Sequence, residues 1–532
     1  MSPAHGSSPE LAVLIDIVAD AKINRAQSDD CGETVMAEQA HDGQREATTA
    51  RPPRELRFEQ RMSDAEALMW TVEKDPWLNP NGASISVVDR RIDVERIRSR
   101  IAYGVAMVPR LRDRVVPGLG RLSPPEWAPD PEFDLDYHIR HVALPAPGSH
   151  RQLLDLAAQL YQDPYDRSRP LWYFVLVDGL EGGGSALISK MHHSLADGIA
   201  GLRLSELYVD QRRDAPDPPP VDLDALIAAT PPDVPAKEAD TFGTAATRSL
   251  GHAWRRQVGM ARRAAGEVAM WGADPRRPVD LAQGAVEQVQ RLRTQATGRD
   301  PGAVRGGSPL WTQRSRHRHF ETLRIPLDAA KAVAKVLDGT VNTFFVTGAV
   351  LGALAYHDER RVSVDALNIS FVVSTRQDSA IGGNAFTPSR LQASGAPMLP
   401  EERFRQMHEA MTAKRAEVKG PGLMSSLAGV ANLLPTSVVT RVGRSQSAKM
   451  DFATSNLRGA GRPLYMCGAQ VLQSIPIGPI AGTAFNITTI SYNGSLDIGL
   501  AIDPRAVREP ADLRRCMEEG YAALLAAGGV VL

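Results

Sequence analysis

Leu171-Trp-Tyr-Phe-Val-Leu-Val177 and Ser185-Ala-Leu-Ile-Ser-Lys-Met191 lead directly into His192-His193-Ser194-Leu195-Ala196-Asp197-Gly198. The two apolar runs predict strands, and Asp178 to Gly184 (DGLEGGG) predicts the turn between them. The run starting at Gly198 (GIAGLRLSELY) predicts a helix with Asp197 near its N-terminus. A buried hairpin therefore delivers two imidazoles onto a tight loop. An irregular loop on a rigid scaffold is where reactive groups are commonly presented.

General-base chemistry suits this arrangement. An unperturbed imidazole titrates near about 6.5, so it can take a proton from a hydroxyl at neutral pH. Asp197 accepts hydrogen bonds only, when ionised, and can pair with a base or cap the following helix. Gly198 and Gly201 allow close approach or a backbone that a Cβ forbids. Two other readings stand beside this one. A histidine at a strand-loop junction is commonly a hydrogen-bonded structural residue. A histidine pair with an aspartate also begins a metal site, but zinc asks for three or four ligands and no third ligand cluster is visible in the sequence.

The segments around the loop resemble the bacterial wax ester synthase/diacylglycerol acyltransferase family, within the CoA-dependent acyltransferases. Ahead of the loop stand Met62-Ser-Asp-Ala-Glu-Ala, Pro109-Arg-Leu-Arg, Trp127, Phe133-Asp134, Tyr137-His138, Leu144-Pro-Ala-Pro-Gly148 and Asp166-Arg-Ser-Arg-Pro-Leu-Trp172. After it stand Val341-Asn342, Ser374-Thr-Arg376, Gly382-Gly383-Asn384, Thr454-Ser-Asn456 and Ser491-Tyr-Asn-Gly494. The resemblance spans roughly Met62 to Leu524.

That resemblance implies an α/β (α+β) fold of two pseudo-equivalent domains. Each is a mixed sheet flanked by helices, and a long helical linker joins them. It implies His193 as general base, with His192 supporting the geometry and Asp197 orienting the loop. His193 would deprotonate the hydroxyl of a fatty alcohol or a diacylglycerol, whose oxygen attacks the thioester of an acyl-CoA. Asn342 is a further candidate catalytic residue, and Gly198, Trp172, Arg376 and Asn384 are candidate substrate contacts. The implied partners are acyl-CoA, as co-substrate, and a lipid acceptor, with no permanently bound cofactor and no metal.

Two departures from the family pattern stand out. An Asn-Asp pair is expected where this chain has Asn342-Thr343, so a charge is absent. For Asn342 a helix N-cap is the alternative to a direct catalytic role. At Ser308-Pro-Leu-Trp311 the family commonly has Asn in place of Trp311; reshaping of an acceptor channel and plain packing are the two readings, with packing favoured.

Composition fits a soluble globular enzyme. The 532 residues suffice for two domains, with 43% hydrophobic and 23% charged residues. A net charge of -1 gives no electrostatic case for nucleic acid. Cys31, Cys467 and Cys516 are few and far apart, a reduced pattern with no disulfide framework. The opening residues carry no secretory signal, and Phe344 to Tyr356 falls short of the about 20 residues that span a bilayer. The expectation is a cytoplasmic protein, with any membrane or lipid-droplet contact peripheral. No motif encodes an oligomeric state.

Along the chain, residues 1–55 read as a loose extension, 56–212 as the first acyltransferase domain, 213–318 as the linker and 319–532 as the second domain. In the linker, His252 to Trp271 is amphipathic, with Arg255, Arg256, Arg262 and Arg263 beside an apolar stripe; it suits packing across the domains or lying on an anionic lipid surface. A second helix is expected from Val279 to Thr297. In the second domain, Leu367 to Val373, Thr483 to Ser491 and Ser495 to Ile502 read as strands, and Tyr492-Asn493-Gly494 as a hairpin turn. Glu509 to Ala527 reads as a closing helix, and Ile475 to Ile480 as core or tunnel lining.

Three functions fit the sequence. The first is storage-lipid O-acyl transfer to a diacylglycerol or fatty alcohol. The second is acyl transfer to another hydroxyl or amine, in complex-lipid or natural-product synthesis, which the Asn342-Thr343 pair keeps open. The third is a non-catalytic lipid-binding relative, which the intact His192, His193 and Asp197 disfavour.

Overall fold

Two strands buried on nearly every residue, Trp172–Asp178 and Ser185–Met191, need sheet neighbours on both sides. The computed structural model, which describes residues 58–118, 123–195, 198–229, 307–374, 386–417, 432 and 435–530, supplies them. In chain order the strands are β1 (Gly82–Val88), β2 (Asp113–Val116), β3 (Glu126–Pro129), β4 (Ile139–Ala143), β5 (Trp172–Asp178), β6 (Ser185–Met191) and β7 (His319–Pro326). They continue as β8 (Ala366–Ser374), β9 (Phe386–Ser394), β10 (Phe452–Arg458), β11 (Tyr465–Met466), β12 (Ala469–Ile477), β13 (Phe485–Tyr492) and β14 (Ser495–Ile502).

These strands form two mixed six-stranded sheets, ordered β11-β12-β1-β6-β5-β4 and β7-β14-β13-β10-β8-β9, with β2 and β3 as a separate pair. In the first sheet β6 lies between β5 and β1, antiparallel to both, while β4 runs parallel to β5. In the second, β10 runs parallel to both β13 and β8. Helices flank both sheets, as the resemblance implies. One strand crosses between the halves of the chain: β12 pairs with β1, so residues 469–477 complete the sheet that carries the histidine loop. Ser474 on β12 donates its N–H to the buried carboxylate of Asp497 on β14 (2.8 Å), which ties the two sheets together.

Local sequence explains the helices that matter for the site. Ser63 and Glu66 form a reciprocal capping box at the start of Asp64–Val72, and Ser149 with Gln152 does the same for His150–Gln162. The helix Val341–Glu359 starts at Thr340, whose hydroxyl accepts from Thr343 N–H at 3.1 Å. Asn342 is therefore not the N-cap, and that alternative is corrected: the β-hydroxyl two residues earlier already fills the position.

Val341–Glu359 is buried on most of its surface and packs along Pro510–Ala527. Their backbones meet through glycines: a Cβ at Gly352 would lie 2.5 Å from Met517 Cα, and one at Gly520 would lie 2.5 Å from Gly352 N. Among the described residues no single helix is long and apolar enough to cross a membrane. The pair Leu327–Val336 and Val341–Glu359 passes that test together, bent by 94°, but its second member is a core helix here.

Trp311 is buried against Tyr356, His357 and Phe485, so packing is its role. Ile475, Ile477 and Ile480 belong to the first core. The hairpin turn forms at Asn493 and Gly494, both at positive φ (43° and 81°). The expected extension 1–55 and the helices at 252–271 and 279–297 fall entirely outside the described residues.

The glycine seam yields a first prediction. Gly352→Ala drives a methyl group into the backbone of the facing helix, which cannot yield like a side-chain tip. The expected loss is about 1–3 kcal/mol of unfolding free energy, read from a denaturant midpoint.

Candidate active site

The chain leaves β6 at Met191 and turns at once. His192 donates its N–H to Leu171 O (2.9 Å) and accepts from Leu195 N–H (2.9 Å). Its side chain is fully buried, while His193 is partly exposed.

The ring of His192 is held at Nδ1 and faces a carboxylate at Nε2. Nδ1 lies 3.0 Å from the backbone nitrogen of Ser194, which donates to it, and 2.6 Å from Ser194 Oγ. Nε2 lies 3.2 Å from Glu73 Oε2, a contact close in distance but bent away from ideal hydrogen-bond alignment. Glu73 follows directly on the helix Asp64–Val72. The same oxygen accepts from Arg167 Nη2 (3.1 Å), whose guanidinium lies over the Trp70 ring at 3.5 Å. Burial opposes ionisation of Glu73, but its interactions with His192 and Arg167 outweigh it and hold the carboxyl below its ordinary range. Trp70 and Tyr165 meet the imidazole edge-on and complete its surroundings.

Two residues upstream, Lys190 is also buried. Its ammonium donates to Leu160 O (2.9 Å), Asp163 O and Tyr173 Oη (3.1 Å), and it faces the ring of Tyr165 at 4.7 Å. Burial pulls its pKa down to about 7; nearby Asp163 and Glu73 resist that pull and Arg140 adds to it.

The second half of the chain reaches the loop through β10. A Cβ on Gly198 would lie 2.6 Å from Leu457 Cδ2, so the glycine lets the helix Gly198–Ser205 dock on that strand. The neighbouring Asn456 donates its amide to Asn342 Oδ1 (2.9 Å). Gly198, β10 and Asn342 are thus linked in one chain of contacts. Thr343, where a charge was expected, is buried, and its hydroxyl contacts Thr340 Oγ1 (2.9 Å) and His408 Nδ1 (3.0 Å).

Of the other sequence candidates, Trp172 requires correction. It is fully buried, donates its indole N–H to Leu111 O (2.6 Å) and stacks on His138 at 4.5 Å. A side chain so enclosed and so fully bonded is part of the core, not a substrate contact. Asp197, Arg376 and Asn384 lie outside the described residues. Sequence reasoning missed Glu73 and Arg167 as neighbours of the loop, and it noted Asn456 only as part of a matching segment. Glu73 sits far upstream with no spacing signal.

A surface hollow of about 590 Å³, lined by Arg91, His141, Asp178 and Gly184 among others, lies at the turn of the β5–β6 hairpin. That is the opposite end of β6 from the histidines, roughly 20 Å away at the rise of a strand, so it is separate from the site. Among the described residues the one cluster of metal-ligating side chains is Glu359, Cys516 and Glu519, where Arg515 already binds both carboxylates.

Residues 57–345 match the family model of the wax ester synthase/diacylglycerol acyltransferase catalytic domain, and residues 385–525 match that family's C-terminal domain. A Mycobacterium tuberculosis protein provisionally named a diacylglycerol O-acyltransferase is 30% identical over 477 residues, covering 89% of this chain and 93% of that protein. A second from the same organism, named likewise, is 28% identical over 487 residues, covering 88% and 97%. Among solved structures, the wax ester synthase/diacylglycerol acyltransferase from Marinobacter aquaeolei VT8 superposes with a TM-score of 0.59 at 20% identity, over 89% of this chain and all of that one. The first condensation domain of the calcium-dependent antibiotic synthetase does so with 0.53 at 17% identity, over 88% and 96%. At such identities the structural likeness speaks for the fold alone.

Two predictions follow from the geometry. Lys190 is a base whose folded pKa, about 7, lies below its ordinary 10.5. Between those values the unfolded chain holds a proton that the folded chain lacks, so stability rises with pH. The denaturant midpoint is expected to increase from pH 7 to pH 9, and Lys190→Met to flatten that increase. At the interface with β10, Gly198→Ala crowds Leu457. A double-mutant cycle with Leu457→Ala is expected to give a coupling energy of about 0.5–3 kcal/mol, and additivity would mean that the two do not touch.

Proposed function

The chain belongs to the wax ester synthase/diacylglycerol acyltransferase family, and on that premise we propose that it transfers a long-chain acyl group from acyl-CoA to the hydroxyl of a diacylglycerol, a fatty alcohol, or both. The observation that carries the reading is the buried β5–β6 hairpin, which ends in a partly exposed His193 beside a fully enclosed His192.

His193 is the general base in this reading. It takes the proton of the acceptor hydroxyl as the oxygen attacks the thioester carbonyl, and the tetrahedral oxyanion collapses with cleavage of the C–S bond. The imidazolium then returns the proton to the CoA thiolate, so protons balance without an acyl-enzyme. A positioned base of this kind contributes about 100- to 10,000-fold in rate. His192 cannot share the task, because its Nδ1 lone pair already receives the Ser194 N–H inside the protein. In this reading Asn342, whose Oδ1 accepts from Asn456, orients polar groups, and Asp197 orients the loop. The acyl-CoA and the acceptor are transient partners. The site of action is the cytoplasm, with peripheral contact at a membrane or lipid droplet where the acceptor resides.

One observation favours a second reading, in which the acceptor is another hydroxyl or amine. Thr343 puts a neutral side chain where the family carries a carboxylate, and it contacts His408.

The test is a product assay on purified protein, given palmitoyl-CoA with hexadecanol and dioleoylglycerol together. Wax ester or triacylglycerol is expected, and His193→Ala should lower its rate by about 100-fold or more. Undiminished product in the variant would remove His193 from the mechanism. No product, with the thioester intact, would shift the acceptor to the second reading.

A further inference from the structure

We propose that Glu73 is a positioning residue for acyl transfer: its carboxylate, with the Ser194 backbone N–H, fixes His192 in the tautomer with its proton on Nε2 and so holds the adjoining His193 in place. The proposal rests on His193 acting as the base.

The argument is one of donors and acceptors. A backbone N–H can only donate, so the Ser194 N–H at 3.0 Å requires a lone pair on His192 Nδ1. The ring proton then belongs on Nε2. That atom is buried, and Glu73 Oε2 at 3.2 Å is the acceptor within reach of it among the described residues. The Ser194 N–H specifies the tautomer, the Ser194 hydroxyl at 2.6 Å from Nδ1 can donate to the same side of the ring, and the nearby carboxylate favours the proton on Nε2. The opposite tautomer would set two donors against each other at Nδ1 and leave a lone pair facing a carboxylate at Nε2.

The position of Glu73 is itself over-determined. It closes the helix begun by the Ser63–Glu66 capping box, and its N–H donates to Met69 O (3.1 Å). Arg167 bonds the same carboxylate oxygen and also donates to Trp70 O (2.5 Å). The imidazole therefore joins the first helix of the described chain to the end of β6. His193 is the next residue along the backbone, so rotation or displacement of His192 moves the base directly. A displacement of about 1 Å from the productive geometry is enough to cost about 100-fold in rate.

The test reads the tautomer and the rate separately. The full chain is labelled with ¹⁵N-histidine, and the His192 ring signals are assigned by their loss in His192→Asn. In the unaltered protein at about pH 8, above the roughly 6.5 at which an ordinary imidazole titrates, His192 is expected to show a pyrrole-like Nε2 and a pyridine-like Nδ1. Glu73→Ala is expected to average the two signals and to lower kcat by about 100-fold with little change in KM for acyl-CoA. Glu73→Gln keeps an acceptor oxygen opposite Nε2 and is expected to restore the tautomer and most of kcat.

A proton on Nδ1 in the unaltered protein would overturn the proposal before any variant is made. So would loss of kcat in Glu73→Ala with the tautomer intact, or failure of Glu73→Gln to hold the tautomer. Because the ring signals are read without substrate, their outcome is independent of whether the acceptor is a diacylglycerol, a fatty alcohol or something else.

Discussion

A side chain with no contact with water must satisfy its polar atoms from within the protein, and for His192 that constraint organises everything around it. An unpaired buried donor or acceptor costs about 1–3 kcal/mol. Both ring nitrogens of His192 therefore face protein groups, one from the loop and one from the first helix. The carboxylate that serves one nitrogen brings its own requirement, a counter-charge, and Arg167 meets it. From one enclosed imidazole follow a loop conformation, a helix terminus and a half-buried ion pair.

The same logic makes the site a joint property of both halves of the chain. The strand that ends in the histidines is interior to its sheet, and β12 from the second half is needed to cover β1. On the other side of the loop, Gly198 docks on β10 and Asn456 of that strand meets Asn342. Loosening the contact between sheets would therefore disturb the loop from two directions. The buried Asp497, bonded across from β14 to β12, strengthens the coupling, although burial pushes its pKa up to about 6. A carboxylate retained there despite that cost is consistent with a fixed register between the sheets, since it accepts from one particular backbone N–H.

What was legible in the sequence has a local signature. The β5–β6 hairpin, the strands β8, β13 and β14 and the final helix appear because apolar period and turn residues act over a few neighbours. The Asn493–Gly494 turn was readable for the same reason. What escaped depends on tertiary contact. Trp172 looked like a substrate contact because its segment resembled a family motif, yet only the packing reveals His138 and Leu111 around it. Asn342 looked like a cap because asparagine often is one, while Thr340 two residues earlier took the position. Glu73 and Asn456 carry no signal of their own, since their partners lie 119 and 114 residues away in sequence.

In the proposed reaction the paired histidines divide two demands. A structural imidazole at the end of a buried strand needs both nitrogens engaged and its proton fixed. A general base needs a lone pair that meets substrate and a proton that leaves and returns. In His192 the two conflict, because a lone pair already occupied by a backbone N–H is not available to a hydroxyl. Two adjacent residues resolve the conflict. His192, fully enclosed, anchors the turn, and the partly exposed His193 is the one to which the proposed reaction assigns the proton transfer. Adjacency matters because it transfers the rigidity of the first ring to the second through the fewest rotatable bonds.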